Sequence, residues 1–245
     1  MRGWVKSIVD LALIVLIITI AKSALAEPYY VPSGSMEPTL KIGDELLATK
    51  FAYGYSTASL PLFINIPSTK RVLGALPHRG DVVVFRAPAD SSQIWVKRVI
   101  GLPGDRIAVS HGRLWINGDP VTLTPDGMGT DESENGARQL VPQYIETLPG
   151  GRKHLIFQES TDGPMNNVAE ITVPPGHLFV MGDNRDNSDD SRVPVSAGGV
   201  GMLPVANLVG RVNVLIGSWD LAAAQRPFWE WPSGLRPSRF FSAVQ

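Results

Sequence analysis

Cysteine is absent from all 245 residues, so disulfides, thiolate nucleophiles and cysteine-based metal sites are excluded. Charge of one sign is also lacking. The 22 basic and 23 acidic residues leave a formal net charge of −1, with no global field to gather nucleic acid. Histidine is scarce: His78, His111, His154 and His177 lie far apart, with no His-Glu-x-x-His pair and no Gly-x-Ser-x-Gly elbow. Zinc-hydrolase and α/β-hydrolase chemistry therefore have no motif to stand on, and His177, beside a strand start, reads as structural. Carboxylates are plentiful, but no pair is singled out for glycoside chemistry. Sustained helical periodicity is missing too, while 20 prolines and 24 glycines punctuate many short Val/Ile-rich runs. That pattern predicts a mainly β protein with many turns, long enough to bury a sizeable core.

One long apolar run is present. Leu11 to Ala21 carries no charge, Arg2 and Lys6 precede it, and Ala24-Leu25-Ala26 resembles the small-residue cleavage site of a secretory signal. Val5 to Ala26 is also long enough to cross a bilayer as a helix, although Asp10 inside it and Lys22 near its end make the fit marginal. Cleaved signal and uncleaved anchor both fit. Either one leaves Arg2 and Lys6 cytoplasmic and exports the remainder.

Further along, Lys41 to Ala52 predicts a turn and a strand, and Tyr53 to His78 an extended, partly apolar loop. Val82 to Phe85, Gln93 to Ile100, Arg106 to Val109, Arg113 to Ile116, His177 to Met181 and Leu208 to Ile216 read as strands. Asn117-Gly118 is a hairpin signal. Pro125 to Asn167 is polar and weakly periodic, which suits an appended lobe more than core. No internal repeat is visible.

Three stretches carry chemistry. In Pro32-Ser33-Gly34-Ser35-Met36-Glu37-Pro38-Thr39-Leu40, two hydroxyls flank a glycine between prolines. Each proline restricts its own φ and the residue before it, and the glycine permits a tight backbone. One serine can therefore sit beside a backbone N–H aimed at the same point, as a nucleophile with an oxyanion donor requires. Taken alone, the stretch is also an ordinary Ser/Gly/Pro loop.

Lys97 lies inside an apolar strand, where period-two alternation puts Trp95, Lys97 and Val99 on one face. Burial there lowers the amine pKa, and a neutral amine takes a proton from a serine without any histidine. The competing reading is an edge-strand lysine facing solvent. Its neighbour Arg98 reads as an ion-pair or backbone-binding arginine. Gly182 to Arg192 packs carboxylates, amides and arginines into one loop. A calcium loop fails there, because Arg185 interrupts the ligand alternation and no closing glutamate follows. A scaffold with Asp190 and Arg192 paired and Ser188 free to orient another group fits better.

Together, Ser33-Gly34-Ser35-Met36 with Pro38-Thr39, Arg79 to Phe85, Lys97 to Asp105, and Gly182 to Arg192 resemble, in order, the boxes of bacterial type I signal peptidase. The resemblance, from about residue 5 to 192, implies a membrane-bound serine endopeptidase with a Ser-Lys dyad that removes signal peptides from exported preproteins after Ala-x-Ala. By motif position Ser35 is the nucleophile and Lys97 the general base. The Ser35 N–H and the Ser33 hydroxyl form the oxyanion hole, and Ser188 holds Lys97. Asp190, Arg192 and Arg98 support the dyad. Val31, Pro32, Met36, Leu40, Val84, Trp95 and Val96 are the implied substrate-binding positions, with substrate pairing to strand edges before Ser35 and around Val84.

The implied fold is an antiparallel β catalytic core with an inserted second β lobe, preceded by one N-terminal transmembrane helix. Its expected parts are residues 1–27 for the anchor, 28–106 and 175–225 for the core, 107–174 for the lobe, and 226–245 for an aromatic and basic tail. The catalytic domain is expected on the periplasmic face of the bacterial inner membrane. Signal peptides and the phospholipid bilayer are the expected partners, and no cofactor, metal or nucleic acid is expected. Many members of the family carry two N-terminal spans, whereas this chain has room for one. Exposed aromatics of the Tyr53 to His78 loop, and Phe228-Trp229-Glu230-Trp231 with Arg226, Arg236 and Arg239, suit membrane contact. Two other readings stand beside this one: a pilin-maturation Ser-Lys peptidase of a conjugation system, and an exported β-rich binding protein with an exposed, protonated Lys97. A self-cleaving repressor is disfavoured, because residues 1–27 are apolar instead of a DNA-binding helical domain.

Overall fold

The computed structural model describes residues 4, 6–14, 25–59, 71–133, 135–225 and 227–244. Its strands, in chain order, are β1 (Ala26–Tyr30), β2 (Asp44–Thr49), β3 (Val82–Arg86), β4 (Ile94–Gly101), β5 (Arg106–Ser110), β6 (Arg113–Ile116) and β7 (Asp119–Pro120). There follow β8 (Thr122–Glu132), β9 (Arg138–Thr147), β10 (Lys153–Phe157), β11 (Val168–Thr172), β12 (His177–Met181), β13 (Leu203–Pro204) and β14 (Leu208–Ser218). A seven-stranded antiparallel sheet runs β1-β2-β14-β3-β4-β12-β13. The two smaller sheets, β10-β9-β8 and β11-β5-β6-β7, are drawn entirely from residues 106–172.

The large sheet is covered on both faces, which is why β3 reads as an unbroken apolar run instead of alternating. Val82 and Val84 pack with Met36, Leu40, Leu46 and Val212 on one side. Val83 and Phe85 pack with Tyr53, Val99 and Leu178 on the other. A third cluster joins Ile100, Phe179 and Met181 to Ile107, Leu114 and Ile116, so the β5-β6 sheet shares a core with β4 and β12. Strand β14 is eleven residues long and shifts register twice against β2 and once against β3. Such bulges bend and twist a strand, and here they curl the sheet so that β1 and the outer half of β4 line one cleft. At Asn117-Gly118 both residues take positive φ, as a two-residue turn between β6 and β7 demands.

Three expectations need correction. Strand β1 begins at Ala26, so the last residues assigned to the anchor are strand. Residues 6–14 are helical and exposed, and no helix among the described residues is long and apolar enough to cross a membrane. Residues 15–24 of the expected anchor lie outside the described residues, as do residues 60–70 of the apolar loop and Arg226. The polar stretch Pro125 to Asn167 is less detached than its composition suggests. It supplies a long β8-β9 ribbon whose outer half is solvated, yet Asp131, Glu132, Glu146, Ile156 and Phe157 are buried. Phe157 exchanges backbone hydrogen bonds with the Gly182 to Arg192 loop, since its N–H donates to the Asp183 carbonyl and its carbonyl accepts the Arg185 N–H.

Candidate active site

Pro32 and an extended Ser33 (φ −129°, ψ 155°) deliver the chain into a 3-10 turn at Gly34–Met36. The Glu37 N–H closes that turn on the Gly34 carbonyl, and the Leu40 N–H bonds the Met36 carbonyl. The Ser35 N–H belongs to the first turn and has no partner within it. Met36 and Leu40 anchor the turn from below in the core, leaving the half-buried Ser35 side chain facing the cleft. The Ser33 and Ser35 hydroxyl oxygens are 3.5 Å apart, too long for a strong hydrogen bond but placing both groups at one point.

Lys97, on β4, reaches the same point. Its Nζ donates to Ser35 Oγ at 2.7 Å, its only hydrogen bond among the described residues. The side chain is 5 % exposed, and burial pushes its amine pKa down to about 8, against the opposing fields of Asp190 and Asp189. The Trp95 ring, on the same strand face, has its centroid 5.8 Å from Nζ. A buried amine with no ion-pair partner is poised to become neutral, and the 2.7 Å separation then serves proton transfer from the hydroxyl.

The Gly182 to Arg192 loop holds this pair from behind with charge-assisted hydrogen bonds. Arg98 Nε and Nη2 donate to the two Asp183 carboxylate oxygens at 2.8 and 2.7 Å, and Nη1 to the Gly80 carbonyl at 2.8 Å. Arg192 Nε and Nη2 grip Asp190 at 2.9 and 2.8 Å, and the Gly182 N–H donates to the same carboxylate. Burial alone raises a carboxyl pKa, but the paired guanidiniums overcome it and hold Asp183 and Asp190 below their ordinary value. Arg185 grips Glu146 of β9 at 2.8 and 2.6 Å, tying the loop to the inserted segment. At Gly182 a Cβ would overlap both the Ser35 carbonyl oxygen and Ser188 Oγ, so only glycine lets the loop press against the serine turn.

Of the positions implied by resemblance, Val31, Pro32, Met36, Leu40, Trp95 and Val96 line one cleft with Ser33, Ser35 and Lys97, a cavity of about 920 Å³. Two positions are corrected. Val84 does not reach the cleft: it is fully buried in β3, which is hydrogen-bonded to β14 on one side and β4 on the other. The free edge belongs to β4, because β12 pairs with it from Arg98 onward and leaves Ile94 to Lys97 unpaired on that side. Ser188 does not hold Lys97, since its buried hydroxyl has no hydrogen-bond partner. Arg236 and Arg239 are internal clamps more than membrane anchors. Arg239 pairs with Asp44 and donates to the Thr39 carbonyl at 2.9 Å, and Arg236 pairs with Glu132 at 3.1 Å. Phe228, Trp229 and Trp231 are exposed.

Two residues were missed by sequence reasoning. Asn184 Nδ2 bridges the Gly34 carbonyl (3.2 Å) and Asp131 (2.7 Å), while its N–H donates to the Ser35 carbonyl at 3.2 Å. Glu37, fully buried two residues after Ser35, accepts the Glu132 N–H at 3.0 Å. Desolvation pushes its carboxyl up to about 7, with nearby Asp131 adding to it, and its Oε1 is unpartnered. Asn184 lies in one of the quoted boxes and Glu37 in the Pro32 to Leu40 stretch, but partners distant in sequence leave no local signal.

A family model described as "Signal peptidase, peptidase S26" matches residues 1–219. Signal peptidase I of Rickettsia typhi is 36% identical over 93% of this chain and 89% of its own, and that of Pseudomonas aeruginosa 39% identical over 84% and 70%. Among solved structures, a signal peptidase I from Enterococcus faecalis is 25% identical with a TM-score of 0.33, covering 56% of this chain and 97% of its own. The chain is a serine endopeptidase, and it belongs to the signal peptidase family, peptidase S26.

Proposed function

We propose that the chain is a membrane-bound signal peptidase I that cleaves preproteins after Ala-x-Ala with a Ser35–Lys97 dyad. The observation that carries this is the 2.7 Å contact between a buried, ion-pair-free amine and the Ser35 hydroxyl. Neutral Lys97 takes the Ser35 proton as Oγ attacks the scissile carbonyl carbon. The resulting oxyanion is met by the Ser35 N–H and the Ser33 hydroxyl. On collapse, the Lys97 ammonium returns the proton to the departing amine, leaving an acyl-enzyme on Ser35. Water then attacks that ester, Lys97 again accepting the proton. Arg98, Asp190 and Arg192 keep strand and loop in register.

The substrate adds as an extended strand between Tyr29 to Ser33 and the free edge of Ile94 to Lys97. Val31, Met36, Leu40 and Val96 form shallow apolar walls that admit small side chains at −1 and −3 and reject large ones by overlap. Such pockets bind weakly, so presentation at the membrane supplies much of the recognition. An N-terminal anchor ending near Leu25 places Ser35 within about 35 Å of the bilayer, the reach of some ten extended residues.

The test uses full-length protein in detergent and a preprotein whose signal ends in Ala-x-Ala. Cleavage after the small residue, lost in Ser35→Ala and Lys97→Ala, is expected. A silent wild type would remove the signal-peptidase reading, and cleavage surviving Lys97→Ala would remove Lys97 as the base.

A further inference from the structure

The cleft is lined by two chemically different sets of residues. On the approach to the dyad, β1 with Val31 to Ser33 and β4 from Ile94 to Val96 run toward Ser35 and Lys97, and their side chains are mostly apolar. The rest of the lining comes from elsewhere: Ser133 and Asn135 of the β8-β9 turn, Met165, and Asn187 and Asp189 of the Gly182 to Arg192 loop. This set is polar, and the β8 residues that lead into it are tied down by hydrogen bonds and ion pairs. The Glu132 N–H is held by Glu37, Asp131 is held by Asn184, and Glu132 is paired with Arg138 and Arg236. The Glu132 carbonyl sits so close to Gly34 that an added Cβ would lie 3.0 Å from it.

Among the carboxylates around this set, only one is uncommitted among the described residues. Asp186 accepts from the Glu159 and Ser160 N–H groups and from Asn166. Asp190 is taken by Arg192. Asp189 is exposed, lines the cleft, and has neither a hydrogen bond nor an ion pair. We infer that the β8-β9 turn and the Asn187 to Asp189 segment form the subsite for the first residues after the scissile bond, where the free Asp189 carboxylate favours basic and disfavours acidic side chains. This rests on the proposed peptidase reading: small apolar residues before the bond fit the apolar set, which leaves the mature N-terminus to the polar one. An inserted segment with few apolar residues thereby acquires a role as one wall of the substrate channel.

The experiment measures kcat/KM of detergent-solubilised full-length protein on peptides that share Ala-x-Ala and differ only in Lys, Gln or Glu at +1 or +2. Each exposed charge pair contributes up to about fivefold, so wild type should prefer Lys over Glu by about tenfold at low salt, less at high salt. In Asp189→Asn the ratio should fall toward one, and in Asp189→Lys it should invert. Removing this carboxylate also alters the field at Lys97, but that change multiplies every peptide equally and cancels in the ratio. Asn135→Lys, on the β8-β9 turn that lines the same cleft, should move the ratio in the same direction as Asp189→Lys. Cleavage with a Lys/Glu ratio unmoved by all three variants would overturn the subsite assignment while leaving the peptidase standing. A wild type that cuts none of the peptides would overturn the peptidase reading, and the subsite with it.

Discussion

Lys97 is the group whose titration decides whether the dyad works as described. Burial takes its amine from 10.5 to about 8, a difference of about 2.5 units. At 1.36 kcal/mol per unit this is about 3 kcal/mol of preference for the neutral amine over the ammonium. An exposed lysine with a pKa near 10.4 is neutral in roughly one molecule in 2,500 at pH 7, whereas one titrating near 8 is neutral in about one in ten. The burial therefore raises the population of competent base about 250-fold at pH 7. The profile of kcat/KM for an Ala-x-Ala peptide, which reports the free enzyme, should rise about tenfold between pH 7 and pH 9 and then level. The same shift acts on stability. The folded pKa is depressed, so the ammonium is penalised in the folded state below about pH 8, and that penalty is relieved as pH rises through 8 toward 10.5. Replacing Lys97 by Met should therefore stabilise the protein at pH 7 by up to about 3 kcal/mol in urea denaturation, with the gain gone near pH 11. An acid limb inflecting near pH 10, or a Lys97→Met protein less stable than wild type at pH 7, would refute the reasoning.

Three further outcomes are expected. Gly182→Ala forces a methyl into the Ser35 carbonyl and Ser188, so it should cost about 1–3 kcal/mol of stability and lower kcat by displacing the Gly34–Met36 turn; unchanged kcat would show that the loop does not set the Ser35 position. Glu37 has its folded pKa raised from 4.5 to about 7, so its contribution to stability falls as pH rises through that window. Glu37→Gln should thus stabilise by on the order of 2 kcal/mol at pH 8 and far less at pH 4, and an equal effect at both pH values in thermal unfolding would count against it. Arg98→Met leaves Asp183 buried and unpaired, at a cost of about 3–5 kcal/mol, and adding Asp183→Leu should recover much of the loss; a double variant no better than the single one would show that the pair is not the cause.

Much of the scaffold was legible from local pattern. Strands β3, β4, β5, β6, β12 and β14 lie within a residue or two of their expected limits, because each is an apolar or alternating run closed by a turn. The β8-β9 ribbon was not seen, since its solvated outer half has no buried face to impose a period of two and Pro125 and Gly127 interrupt it. Strand β1 was hidden by the apolar segment before it. Val84 was misplaced because the expected open edge depended on which strands neighbour β3, and β14, over a hundred residues later, fills that edge.

What the sequence determined by itself was chemistry: which hydroxyl and which amine were available, that no thiolate or histidine competed, and that four boxes in order resemble one peptidase family. What only the tertiary structure decided was encounter. Ser35 and Lys97 are 62 residues apart, Asn184 and Gly34 are 150, and Arg239 and Thr39 are 200. The depressed Lys97 pKa, the idle Ser188 hydroxyl and the free Asp189 carboxylate depend on desolvation and on the directions of neighbouring groups. Those are properties of packed space between distant segments, and a linear pattern does not contain them.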